Sequence, residues 1–332
     1  MEKILLTCAL FLLTVGANAQ SRKITVHDPV AIEADGKYYL FNTGHGIASW
    51  QSDDLINWEF LRPVFPESPE WAKQRVPKFD GNIWAPDVYF HNDRYYLYYS
   101  ISSFASNRSA IGVATNATLD PDNENYQWTD HGPVIESVPG RDNWNAIDPN
   151  LVFDEKNQPW LSFGSFWGGL KMFRLSDDLL SIADPQEWSH IASRDRDFTL
   201  QAGDPGNGAI EAPFIFKKNN YYYLFVSFDL CCRGPRSTYN VRVGRSESAT
   251  GPFIDRDGVA MNQGGGTMVI QGDENYYGIG HNSVYTFGDK DYMFSHGYAV
   301  SEKGRPRLLV HQVNWDDEAW PVLEELKDQA DN

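Results

Sequence analysis

The chain has 332 residues, 28 Lys and Arg against 45 Asp and Glu, and a formal charge of −17. Phosphate neutralisation needs clustered Lys and Arg, so the acidic balance argues against nucleic acid and anionic membrane surfaces as partners. With 42% hydrophobic and 14% aromatic residues there is ample material for a core, which excludes disorder as the main state.

Residues 1–19 read as a signal peptide that is removed. Lys3 supplies the charged start, Ile4 to Val15 the apolar stretch, and Ala17-Asn18-Ala19 the small-x-small cleavage pattern. That stretch is too short to span a bilayer, and no Cys follows the cleavage site to carry a lipid anchor. The expectation is an exported protein, secreted or periplasmic, monomeric, with one catalytic domain over residues 20–332. Cys8 leaves with the signal. The mature chain then keeps Cys231 and Cys232 alone, adjacent in sequence, which permits a vicinal disulfide but no disulfide framework.

A unit of about sixty residues recurs through the rest of the chain. Each copy has a marked start, a short strand, a polar turn and an aromatic strand. The copies begin at Asp28-Pro29, Ala85-Pro86-Asp87, Asp148-Pro149, Glu211-Ala212-Pro213 and, more weakly, His281-Asn282. Their aromatic strands are Tyr38–Phe41, Tyr95–Tyr99, Trp160–Phe163, Tyr221–Phe225 and Tyr292–Phe294. The steps from Asp28 to Asp87, Asp148, Glu211 and His281 are 59, 61, 63 and 70 residues. Polar turns between β-branched and aromatic runs are hairpin signals. Third and fourth strands follow, often near a Trp such as Trp58 or Trp188. No sustained i, i+3, i+4 apolar pattern suggests a long helix. Five units of four strands describe an all-β fold, a five-bladed β-propeller.

In a propeller the first strand of each blade lines the central channel, and these inner strands emerge together on one face. Proline suits a strand's first position, because it lacks a donor and pushes its predecessor toward extended backbone. Asp28, Asp148 and Glu211 therefore converge at the channel mouth from three blades. Glycosidic hydrolysis uses one carboxylic acid to protonate the leaving oxygen and one carboxylate to activate water or attack carbon. A third acid raises the first one's pKa by repulsion. The residue pattern by itself does not say which acid has which role.

Several segments give the chain a specific resemblance. They are Val26-His27-Asp28-Pro29, Trp84-Ala85-Pro86-Asp87-Val88, Asn145-Ala146-Ile147-Asp148-Pro149 and Gly164-Ser165-Phe166-Trp167-Gly168-Gly169. Ala209-Ile210-Glu211-Ala212-Pro213, Cys231-Cys232-Arg233-Gly234 and Gly280-His281-Asn282-Ser283 complete the set. Together they resemble glycoside hydrolase family 43, and within it the endo-α-1,5-L-arabinanases. The resemblance implies a five-bladed propeller that cleaves internal bonds of arabinan with inversion. It implies Asp28 as general base, Glu211 as general acid and Asp148 as the residue that tunes and orients Glu211. His281 is implied as a contact to a calcium ion near the propeller axis, held mostly by water. Trp84, Phe104, Phe166 and Trp167 are expected as sugar platforms, with Asn145 and Ser165 hydrogen-bonding sugar hydroxyls. Phe104 and Ala105 depart from the Gly- and Thr-containing loop expected there. The competing readings are an exo-acting α-L-arabinofuranosidase or β-xylosidase of the same family, and a non-catalytic sugar-binding propeller. The last of these predicts the loss of one of the three carboxylates, and all three are present.

Overall fold

The computed structural model describes residues 24–195 and 208–326. The proposed signal peptide lies outside the described residues. Five antiparallel sheets follow one another along the chain, each ordered from an inner to an outer strand. Blade 1 comprises Val30–Ala34, Lys37–Asn42, Ala48–Ser52 and Glu59–Phe60. Blade 2 comprises Asn82–His91, Arg94–Ile101, Ser109–Asn116 and Thr129–Ser137, with Gly44–His45 paired to its inner strand. Blade 3 comprises Asn150–Phe153, Pro159–Phe163, Leu170–Arg174 and Trp188–Ala192. Blade 4 comprises Ile210–Lys218, Tyr221–Phe228, Asn240–Ser246 and Thr267–Gln271. Blade 5 comprises Tyr276–Phe287, Lys290–Ala299, Arg305–Trp315 and Pro321–Glu325. The one α-helix among the described residues is the single turn Ala72–Arg75. The expected five-bladed propeller is therefore the observed fold.

Apolar burial explains why the blades form a ring. The core divides into five clusters, one at each junction between neighbouring blades. Phe41 of blade 1 meets Leu97 and Tyr99 of blade 2, for example, and Phe225 of blade 4 meets Val284 and Met293 of blade 5. A blade sandwiched on both faces needs apolar residues on both, hence strands such as Tyr221–Phe228 that show little alternation. The ring closes in blade 5. Val26 packs there with Phe294 and Leu308, the Leu308 N–H donates to the Ile24 carbonyl at 3.1 Å, and the Leu326 N–H donates to the Val310 carbonyl at 3.0 Å.

The start of each inner strand departs from expectation in an informative way. The residue before each proline is not extended. Asp28, Ala85, Asp148 and Ala212 have φ of 56°, 41°, 58° and 57°, and His281 in blade 5 has 46°. Non-glycine residues hold this left-handed backbone only where their surroundings over-determine it. Here the surroundings are hydrogen bonds from the previous blade. The Ala85 N–H donates to Thr43 Oγ1 at 2.8 Å, the Asp148 N–H to Ser100 Oγ at 3.0 Å, and the His281 N–H to Ser227 Oγ at 2.8 Å. The Asp28 N–H closes the circuit on His296 Nδ1 at 3.2 Å. In blade 3 the corresponding position is Gly164, which offers no side chain. The Ala212 N–H turns instead to Asp148 Oδ2, at 3.1 Å.

This conformation also corrects the register read from sequence. The position equivalent to Asp28 and Asp148 is Ala85 in blade 2 and Ala212 in blade 4, so Glu211 stands one residue earlier and Asp87 two later. Asp87 is buried away from the mouth, where it accepts the Leu151 N–H at 2.7 Å. Asn150 repeats that link to the Ile215 N–H at 2.8 Å, and Ser283 donates to the Pro29 carbonyl at 2.8 Å. These side chains stitch inner strands together.

Candidate active site

Asp28, Asp148, Glu211 and His281 meet at the mouth. His281 Nδ1 lies 3.0 Å from Asp28 Oδ1, and the positive charge of His281 acts on all three carboxylates. Asp28 also accepts the Thr43 hydroxyl on Oδ2 at 2.5 Å, while Thr43 Oγ1 accepts the amide of Ala85. Trp84, next to Ala85, is thereby anchored beside the Asp28 carboxylate.

The carboxylates sit in opposite electrostatic settings. Burial alone would raise the pKa of Asp28, but His281, through charge and hydrogen bond, and then His27 and His296 outweigh it. Asp28 is held well below the usual carboxylate range and stays ionised. Asp148 is pushed up to about 8, chiefly by burial and then by the charges of Glu211 and Asp28, against the opposing pull of His281. Glu211 is raised by burial and by Asp28, while hydrogen bonds from Tyr239 and Ser165 and the charge of His281 restrain the rise. Asp148 and Glu211 thus form a buried pair that retains a proton near neutral pH. His281 is raised to about 9 because the three carboxylates, Asp28 foremost, outweigh the cost of its own burial.

Both oxygens of Glu211 are held. Tyr239 Oη donates to Oε1 at 2.6 Å and Ser165 Oγ to Oε2 at 2.7 Å. Gly280 makes room for this. A Cβ there would stand 2.2 Å from Tyr239 Cδ1, so the ring that reaches Glu211 requires glycine. Ser165 was expected to bind a sugar hydroxyl, but it is buried and its hydroxyl serves Glu211. Asn145 is also buried, with Oδ1 accepting the Ser109 hydroxyl at 2.6 Å, which makes it part of the wall of the site. Trp84, Phe166 and Trp167 are half-buried beside the mouth. Phe166 is fixed there by its N–H, which donates to the Ile210 carbonyl at 2.8 Å. Phe104 projects from its loop with 76% of its surface exposed.

Sequence reasoning missed Tyr239, Thr43, His27, His296 and Tyr298. For Tyr239 the sequence holds no signal, since it lies outside the repeated motif. Thr43, Ser100, Ser227 and His296 follow the aromatic strands of their blades, and aligning those strand ends would have exposed the series. Among the described residues, His27, Asp28 and His296 form a group whose ligand atoms all lie within 4.8 Å of one another. His296 Nδ1 is engaged by the Asp28 amide and Nε2 approaches Tyr298 Oη at 3.2 Å, so this group serves as a hydrogen-bonded network.

An ionised carboxylate and a buried, proton-retaining carboxyl pair at the mouth of a propeller define a glycoside hydrolase. The family model for glycosyl hydrolases family 43 matches residues 23–321, and the chain belongs to that family. It is 48% identical over 317 residues to an extracellular exo-α-(1→5)-L-arabinofuranosidase of Cellvibrio japonicus, covering 96% of this chain and 91% of the relative. It is 38% identical to an extracellular endo-α-(1→5)-L-arabinanase of Bacillus subtilis, covering 89% and 87%. The α-L-arabinanase of Cellvibrio cellulosa complexed with arabinohexaose superimposes with a TM-score of 0.89 at 48% identity, covering 91% of this chain and 96% of that one.

Proposed function

We propose that the protein is an exported, inverting hydrolase of the α-1,5-L-arabinofuranosidic bonds of arabinan, cutting within the chain. The observation that carries the reading is the division of protonation at the mouth. Asp28, kept ionised by histidines, takes a proton from the attacking water, while Glu211, kept in a proton-retaining pair with Asp148, protonates the departing oxygen. Inversion requires room for water between the two carboxyl groups, roughly 6.5–9.5 Å, and their placement on different blades suits it. Trp84, Phe166, Trp167 and the exposed Phe104 supply apolar faces for furanose rings. Export accords with the relatives, which are extracellular by name, and no helix among the described residues is long and apolar enough to cross a membrane.

His281 fits a calcium ion only as a single protein ligand. Nδ1 is committed to Asp28, and an ion at Nε2 would have to displace the proton that His281 otherwise keeps up to about pH 9. Calcium prefers oxygen, so the remaining positions fall to water. The surrounding carboxylates supply the negative potential a divalent cation needs. Bound there, the ion would supply positive charge beside Asp28. His281→Ala, or exhaustive chelation, is expected to lower activity more than the melting temperature; full activity after verified removal of the ion removes calcium from this proposal.

Product analysis on linear arabinan, with proton NMR of the first anomer released, tests the reading. Inverted oligosaccharides of mixed length are expected. A retained anomer overturns Asp28 as base. Release of one short product from a chain end favours the exo reading, which the 48% identical Cellvibrio relative supports.

A further inference from the structure

The disulfide between Cys231 and Cys232 stands outside the reaction described above, yet it is wired to it. Cys232 is exposed, and its main-chain N–H donates to Tyr298 Oη at 2.7 Å. Tyr298 Oη also lies 3.2 Å from His296 Nε2 and 3.9 Å from Cys232 Sγ. His296, with no exposed surface, meets the Asp28 N–H through Nδ1 at 3.2 Å.

One proton assignment satisfies this chain. A main-chain amide only donates, so His296 Nδ1 is the acceptor. The neutral ring then carries its proton on Nε2 and donates it to Tyr298 Oη. That oxygen accepts from both His296 and the Cys232 amide, and its own hydrogen is shared between Cys232 Sγ and the Ser237 hydroxyl. Burial keeps His296 neutral, which agrees. The disulfide closes the smallest ring two cysteines can make, and so fixes the direction of the Cys232 amide on which the series hangs.

We infer that the Cys231–Cys232 disulfide and Tyr298 hold His296 in the single tautomer that positions Asp28, making Cys231, Cys232, Tyr298 and His296 positioning residues for hydrolysis. The inference rests on Asp28 being the general base. It also makes activity redox-dependent. A dithiol attacks the disulfide, one S–S bond breaks as a mixed disulfide forms, and the second thiolate closes on it. Two electrons pass from the dithiol to the protein, leaving two cysteine thiols and a cyclic disulfide. The Cys232 amide then swings free, and Tyr298, which accepts the His296 Nε2 proton, loses the donor that orients its hydroxyl.

The test compares the full chain before and after reduction by a dithiol, with thiols counted, against Tyr298→Phe. Reduction is expected to lower kcat on linear arabinan on the order of tenfold, with KM changed less than about twofold, the loss of one well-placed hydrogen bond. Tyr298→Phe should match that loss, and reducing the variant should add nothing. In 15N NMR of the imidazoles, oxidised protein should show His296 protonated on Nε2, and reduced protein a mixture of tautomers. Unchanged kcat with both thiols released, additive losses, or an Nδ1-protonated His296 in oxidised protein each overturn the inference. If Tyr298→Phe does not fold, Cys231→Ser with Cys232→Ser takes its place with the same kcat loss expected. Failure of the oxidised protein to cleave arabinan overturns the functional reading, and the NMR result still decides the tautomer.

Discussion

Asp28 and Asp148 occupy the same position in blades 1 and 3, each before a proline and each in left-handed backbone, at φ 56° and 58°. They differ in what the rest of the ring places against them. Three imidazoles approach Asp28, the nearest at 3.0 Å, and drive its pKa down. Asp148 lies beside Glu211 and feels Asp28 as well, so burial and repulsion carry it up to about 8. Identical local structure thus yields a permanent carboxylate in one blade and a proton-holding acid in another. The decisive neighbours stand at the second-strand end of the adjoining blade, where His296 faces Asp28 and Gly164 leaves the Ala212 amide for Asp148.

The largest effect should come from abolishing either half of this contrast. Asp28→Asn removes the proposed base and Glu211→Gln the proposed acid, and each should lower kcat/KM on arabinan by about 10²–10⁴-fold, the usual weight of a positioned proton-transfer group. Glu211→Gln should recover much of its rate on an aryl arabinofuranoside whose leaving group needs no proton, whereas Asp28→Asn should not. Equal recovery by both would erase the distinction between them.

Asp148→Asn sharpens the comparison through pH. Without Asp148, Glu211 no longer shares the pair's last proton with a second carboxyl, so that proton leaves at lower pH and the alkaline limb of kcat/KM should move down, with a rate loss smaller than for Glu211→Gln. Stability should respond with the opposite benefit. A carboxyl titrating at about 8 when folded, against 3.8 ordinarily, favours unfolding increasingly as pH rises between those values. The Asn variant should therefore melt above the parent near pH 8. A wild-type rate with an unmoved limb would reduce Asp148 to a strand-start residue.

The smallest effect, and opposite in sign, is expected for Tyr239→Phe. Its hydroxyl donates to Glu211 at 2.6 Å and favours the ionised form, so removing it should raise the Glu211 pKa and move the alkaline limb upward. The loss in kcat should be about tenfold or less, the scale of one hydrogen bond to a charged group. A downward shift would show that Tyr239 serves the protonated acid.

The repeat of aromatic hairpins, the five blades and the carboxylates Asp28, Asp148 and Glu211 were legible in the amino-acid order alone. Strand alternation, turn chemistry and proline placement act within a few residues, so they leave their mark on adjacent positions. The left-handed backbone before each proline was not legible, because bonds from the previous blade impose it against local preference. Nor were the contacts that tie Ser165 to Glu211 and Asn145 Oδ1 to Ser109. The ionisation of the acids lay furthest from the sequence. Asp28 meets His296 across 268 residues and Asp148 meets Ala212 across 64. A pKa depends on burial and charge within a few ångströms, and only closure of the ring brings those groups that near.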